Sequence, residues 1–200
     1  YKSFNSEYLN ILLDNNVIEK FCIYFYDDFN QFDNLINVLY HRKFNSFTLS
    51  IARFKNIQVQ VFLQKLVTVQ FWKELEILKI ISSSQAINFI LNNANLSELK
   101  TIEWDYPNYP EYYDKNIRAT TTLLSVRRVK IHIYYSPRIN ITNCINEFIK
   151  LFPIVTELLI RSYQFNCSSV NYSSLTNLRR LSIDNYESDR SKNLTKKLQQ

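Results

Sequence analysis

The sequence predicts an α/β fold, with a curved parallel sheet of short strands on the concave side and helices and irregular segments on the convex side. Two observations carry this expectation. One apolar pattern of strand-like spacing recurs about every 27 residues, and the segments between its copies place apolar residues at helical intervals. A third observation narrows the chemistry: the 200 residues include no glycine. Glycine-dependent phosphate cradles and the strand-to-helix nucleophile elbow need a backbone that approaches closely without a Cβ, so none can be written in this chain.

The pattern is Φ-x-x-Φ-x-x-Φ-x-Φ, where Φ is apolar. It occurs at Trp72, Leu75, Leu78 and Ile80, at Leu96, Leu99, Ile102 and Trp104, and at Leu123, Val126, Val129 and Ile131. It continues at Phe152, Val155, Leu158 and Ile160 and at Leu175, Leu178, Leu181 and Ile183. Two earlier copies lack the first apolar point: Ile18, Phe21 and Ile23, then Phe44, Phe47 and Leu49. The third points fall at 21, 47, 78, 102, 129, 158 and 181, giving steps of 26, 31, 24, 27, 29 and 23 residues. Such spacing predicts seven parallel strands centred on those positions.

Between the copies, Phe29, Phe32, Leu35, Ile36 and Leu39 share one helix face. Ile87, Ile90 and Leu91 do the same after Ser84, which reads as an N-cap. Ile141, Ile145, Phe148, Ile149 and Phe152 form the clearest stripe, ended by Pro153, which disfavours helical geometry in the residue before it. Residues 57–69 mix alternation at Ile57, Val59 and Val61 with helical spacing, and the β-branched run Thr120-Thr121-Thr122 argues against a strong helix. At the ends, Tyr8, Leu9, Leu12 and Leu13 read as the helix of an earlier repeat, and Leu194 and Leu198 as the helix supporting a next one.

A short strand followed by a helix or irregular segment at this period resembles the leucine-rich repeat, L-x-x-L-x-L-x-x-N/C-x-L. The resemblance covers about residues 16–200, most plainly in LRRLSI at 178–183 and LEILKI at 75–80. The phrases LTNLRRLSI and FPIVTELLI look most like the degenerate repeats of fungal and amoebal F-box proteins. It implies a single leucine-rich-repeat solenoid domain over residues 1–200, of about seven repeats, cut from a longer chain. By function it implies a protein–protein interaction module, the substrate-recognition region of an F-box-type ubiquitin-ligase adaptor whose ligase scaffold is engaged outside this window. The alternative on the same architecture is a secreted or surface recognition protein. One departure stands out. Where the family has Asn or Cys after the strand, this chain has Tyr26, Ala52, Ser83, Pro107, Tyr134, Tyr163 and Tyr186, so its turns must satisfy their backbone in another way.

Strand alternation sends the apolar points inward and the intervening residues to the concave face. From the third strand on, the charged ones are Lys79, Glu103, Asp105, Arg128, Lys130, His132, Glu157, Arg161, Arg180 and Asp184, and we read them as contacts to a protein partner. Arg128, Lys130, Arg161 and Arg180 would be the main ones, because Arg grips carboxylates in two-pronged fashion. Mixed charge favours a protein over a nucleic-acid backbone, which requires uniform positive potential. A second candidate is a tyrosine-rich binding loop at 106–113, with Tyr106, Tyr109, Tyr112 and Tyr113 around Pro107 and Pro110.

No reaction can be assembled from these residues. The two histidines are His41 and His132, and the three cysteines, Cys22, Cys144 and Cys167, lie far apart, so no H-E-x-x-H or paired C-x-x-C zinc pattern exists. We therefore expect no catalytic residues, no metal and no cofactor. The net charge of +6 comes from 24 basic and 18 acidic residues without a basic tail, which argues against a nucleic-acid partner. The longest apolar runs are far short of the ~20 residues that span a bilayer, and YKSFNSEYLN at the start holds no signal-type apolar run. The expected location is intracellular, cytoplasm or nucleus, with no membrane partner.

Overall fold

In four of the five full copies the first half of the apolar pattern becomes a tight turn, the copy at Leu123 and Val126 being the exception. The backbone N–H of Leu75 donates to the Trp72 carbonyl at 3.3 Å, Leu99 to Leu96 at 3.2 Å, Val155 to Phe152 at 3.2 Å and Leu178 to Leu175 at 3.1 Å. A three-residue hydrogen-bonded turn brings both of its apolar side chains to one side, and all eight of these residues are buried. The second half is then the strand, with its apolar side chains on alternate positions facing the same core.

The computed structural model describes residues 20–25, 32–40, 42–51, 57–106, 117–134, 141–162, 169–185 and 192–197. Seven strands run parallel in sequence order: β1 Lys20–Phe25, β2 Ser46–Ile51, β3 Ile77–Ser82, β4 Thr101–Tyr106, β5 Arg128–Ile133, β6 Glu157–Ser162 and β7 Arg180–Asn185. Each predicted centre is the second residue of its strand. These centres pair directly from Phe21 through Phe47, Leu78, Ile102, Val129 and Leu158 to Leu181, with no shift between equivalent positions. One expectation at the end of the chain is overturned. Leu194 lies in β8, Lys192–Lys197, which pairs antiparallel with β7 and puts Leu194 opposite Ile183, rather than in a supporting helix. An unpaired edge at β7 offers a row of backbone donors and acceptors that β8 satisfies, and this outweighs a local apolar spacing. Tyr8 to Leu13 and Leu198 lie outside the described residues.

Helices fill four of the connections: α1 Phe32–Tyr40, α2 Ile57–Leu66, α3 Ser84–Asn93 and α4 Thr142–Lys150. Phe29 lies outside the described residues. Of residues 57–69, Ile57–Leu66 resolve as helix, with Val59, Phe62, Leu63 and Leu66 buried and Ile57 and Val61 exposed, and a turn at 67–69 leads to a short 3₁₀ segment at Gln70–Glu74. The N-cap of α3 is Ser83, not Ser84; Ser83 is extended, at φ −66° and ψ 164°, and Ser84 is already helical. Residues 117–127, which contain the threonine run, hold no helix. The inward strand residues and the buried helix residues form one apolar cluster.

Two kinds of hydrogen bond stitch successive units together. One carbonyl per unit accepts two consecutive N–H groups of the next: Asn45 from Glu76 and Ile77, Glu76 from Lys100 and Thr101, Lys100 from Arg127 and Arg128, Arg127 from Thr156 and Glu157, and Thr156 from Arg179 and Arg180. Where the described connection has no α-helix, asparagines of the preceding helix take over. Asn88 and Asn92 of α3 accept from the N–H of Arg118 and Thr120 at 2.8 and 3.0 Å, and Asn146 of α4 accepts from Asn171 at 2.8 Å. Side-chain amides therefore do satisfy these turns, but from the helices and not from the positions after the strands.

Two outcomes test this architecture. Leu158→Asp places an unpaired charge in the core and is expected to cost about 4 kcal/mol or more, whereas the neighbouring Glu157→Ala costs less than about 1 kcal/mol, read as denaturant midpoints. Asn88→Ala is expected to lower stability by about 1 kcal/mol and to speed hydrogen exchange at the Arg118 amide while leaving that of Asn171 unchanged.

Candidate functional site

Because equivalent strand positions pair without shift, the outward residues line up in rows across the sheet. From β3 to β7 the first row reads Ile77, Thr101, Arg128, Glu157 and Arg180. The second reads Lys79, Glu103, Lys130, Leu159 and Ser182, and the third Ile81, Asp105, His132, Arg161 and Asp184. All ten charged residues predicted for this face lie on it, and neighbouring strands carry opposite signs at most of these positions. The cross-strand spacing of about 4.8 Å brings such neighbours into ion-pair contact.

At the centre, Lys79 Nζ lies 2.6 Å from Glu103 Oε1 and 2.8 Å from Asp105 Oδ2. Lys130 Nζ approaches Glu103 Oε2 at 3.4 Å. His132 Nδ1 stands 2.8 Å from Asp105 Oδ1 and 3.6 Å from Glu103 Oε1. Asp105 occupies an outward position yet is only 3% exposed, because Lys79 and His132 cover it. Burial alone would push the two carboxyl groups up. It is outweighed by the bond from Lys79 to Glu103 and by the contacts of His132 and Lys79 with Asp105, so both carboxyls sit below their usual range. Burial likewise opposes the charge on Lys79, but its bonds to Asp105 and Glu103 hold its ammonium above the usual lysine range.

Glu103, Asp105 and His132 each bring one donor atom, all within 4.8 Å of one another, as a metal centre requires. The Lys79 ammonium already bridges the two carboxylates, and Lys130 adds a second positive charge. A divalent cation would have to displace the first and meet the second, so the residues present fit an ion-pair network better than a metal site. The in-register neighbours of His132 are Asp105 and Arg161, so no hydroxyl or thiol flanks it at that level of the sheet.

The flank over β5–β7 differs. Arg128 Nε donates to Glu157 Oε2 at 2.7 Å and Arg161 Nε to Asp184 Oδ2 at 3.0 Å. The bond to Glu157 raises the Arg128 guanidinium, and the bond from Arg128 lowers the Glu157 carboxyl. The Arg180 side chain makes no hydrogen bond or ion pair among the described residues, although its charge helps to lower the Glu157 carboxyl. A depression of about 390 Å³ opens here, lined by Arg128, Lys130, Glu157, Leu158, Leu159, Arg180 and Ser182. Of the four basic residues expected as partner contacts, three line this depression, whereas Arg161 is engaged with Asp184 outside it.

The tyrosine loop requires a correction. Tyr106 is the last residue of β4, 3% exposed, and packs edge-on against Trp104 at 5.5 Å, so it belongs to the core. Continuing the alternation of Ile102 and Trp104 by one step would have placed it there. Tyr109, Tyr112 and Tyr113 lie outside the described residues. Sequence reasoning also missed that Lys79, Glu103, Asp105 and His132 belong to one network. No helix among the described residues is long and apolar enough to cross a membrane. Comparison with known proteins finds no matching family model, no matching curated protein and no matching solved structure.

The network sets a pH dependence. The depressed carboxyls of Glu103 and Asp105 contribute stability that is present above their unfolded values, near pH 4, and is lost as pH falls through their lower folded values. The raised Lys79 contributes fully below its unfolded value, near pH 10.4, and loses that contribution only as pH rises through its higher folded value. Lys79→Met is expected to cost about 2 kcal/mol at pH 7 and to flatten the acid limb of a urea-midpoint profile, against less than about 1 kcal/mol for the exposed Arg128→Gln.

Proposed function

We propose that this chain is a protein-recognition module of the leucine-rich-repeat kind, a solenoid whose curved sheet presents the polar face of β5–β7 to an acidic segment of a protein partner. The observation that carries the reading is the depression in which Arg128, Lys130 and Arg180 surround Glu157, Leu159 and Ser182. Arg128 and Arg180 outnumber Glu157, and Lys130 is shared between the depression and Glu103 of the central network, so the lining attracts an anionic segment, and Leu159 offers an apolar contact beside them. The central network is internally balanced and has little charge to offer a partner. By its resemblance to F-box repeat proteins, the module would select targets for a ubiquitin ligase inside the cell, with the ligase scaffold engaged by another region. Such a role calls for no catalytic group and no cofactor.

The test is affinity capture from the source cells with the wild-type chain and with the triple variant Arg128→Ser, Lys130→Ser and Arg180→Ser, checked for native circular dichroism. The expected outcome is a discrete set of proteins with acidic segments that the variant fails to retain and that moderate salt releases. Equal recovery of the same proteins by both chains would rule this surface out.

A further inference from the structure

Lys130 stands at the border of the depression and the central network, and a carboxylate of this chain holds it on the network side. It lines the depression with Arg128 and Arg180, yet its Nζ lies 3.4 Å from Glu103 Oε2 on the neighbouring strand. That contact is long, since charge-assisted pairs ordinarily close to about 2.7–2.9 Å. Glu103 has a nearer partner in Lys79, 2.6 Å from its other oxygen, and against burial it is Lys79 before Lys130 that holds its carboxyl below the usual range. On the other side Lys130 faces Leu159, so no acid of β6 competes for it in that row. Release of Lys130 therefore leaves Glu103 paired, and the ammonium sits on a flexible stem, 34% exposed, that borders the depression.

We propose that Glu103 is an internal competitor for Lys130 and thereby makes the depression selective for a partner segment that carries two carboxylates, a specification that rests on the recognition surface proposed above. Arg128 and Arg180 flank Glu157 at one level of the sheet, two strands apart, and outnumber it without Lys130, so a first carboxylate docks there and leaves Glu103 undisturbed. Lys130 lies two residues along β5 from Arg128, about 6.6 Å at the rise of a strand. A second carboxylate two residues along an extended partner spans the same distance and takes Lys130 over from Glu103. The ammonium is counted once: it serves Glu103 in the free chain and the partner in the complex. A segment with a single carboxylate leaves it where it is.

The test is a double-mutant cycle on the whole chain with Glu103→Gln, Lys130→Gln and both together, each checked for native circular dichroism. The probes are two nonapeptide pools, one with a single fixed glutamate and one with glutamates two residues apart, their other positions free of Asp and Glu. Glu103→Gln should raise retention of the two-glutamate pool about fivefold and shift the single-glutamate pool by less than about twofold. In the Lys130→Gln background the same change should add nothing. A gain that survives without Lys130 would overturn the assignment, because it would reflect only a lost negative charge, and so would equal gains for both pools or no gain at all. Arg180→Gln separates this inference from the surface it rests on. If it weakens both pools while the cycle fails, acidic recognition stands and the competitor role falls; if it changes neither, the surface falls too. Failure of both pools on every chain would also overturn the inference, while the capture experiment above decides independently whether the surface recognises a partner.

Discussion

Parallel pairing of seven strands without any shift between equivalent positions is the constraint on which the remaining features depend. It stacks Phe47, Leu78, Ile102, Val129 and Leu158 into a continuous buried row, so each unit covers its neighbour's apolar edge. It also sets the spacing at which one carbonyl per unit can accept two N–H groups of the next. A shift of one residue in any pair would turn an apolar row to solvent and carry the charged rows into the core.

The same register turns isolated charges into a network. Lys79, Glu103 and Lys130 alternate in sign along one row, and each cation meets a carboxylate one strand away. This pairing is what allows Asp105 to be almost fully buried on a nominally exposed face, since an unpaired buried carboxylate would be strongly disfavoured. The alternation breaks at β6, where Leu159 stands opposite Lys130. There the charges no longer cancel, and the depression with its excess of cations begins. Charge balance thus divides the polar face: balanced, half-buried charge in the middle, and unbalanced, exposed charge on β5–β7.

The connections show how a chain without glycine closes its turns. No residue that tolerates a left-handed backbone at no steric cost is present, and the turns that open the repeats close through three-residue hydrogen bonds that ordinary residues adopt. Asn88, Asn92 and Asn146 then supply acceptors to connections that hold no α-helix among their described residues. Backbone that would otherwise lack a partner is satisfied from the neighbouring unit, which couples successive repeats on the helical side as the sheet does on the other.

How far the sequence can be read follows from the range of each interaction. Alternation and turn spacing are local, so the copies from Ile18 to Ile183 by themselves determined seven strands, their centres and which residues face outward. They also placed Lys79, Arg128 and Arg180 on one face. What only the tertiary structure decided is how outward residues meet, because the ion pairs join residues 23 to 29 positions apart through cross-strand contacts. Tyr106 fell on the boundary: alternation pointed it inward, but the adjacent Pro107 suggested a loop, and packing against Trp104 settled it. Leu194 had apolar spacing compatible with a helix, yet β7 presented an edge whose unpaired backbone groups a strand could satisfy. Local periodicity specifies what each segment can become, whereas pairing partners depend on which segments the sheet sets side by side, and that is a property of the assembled chain.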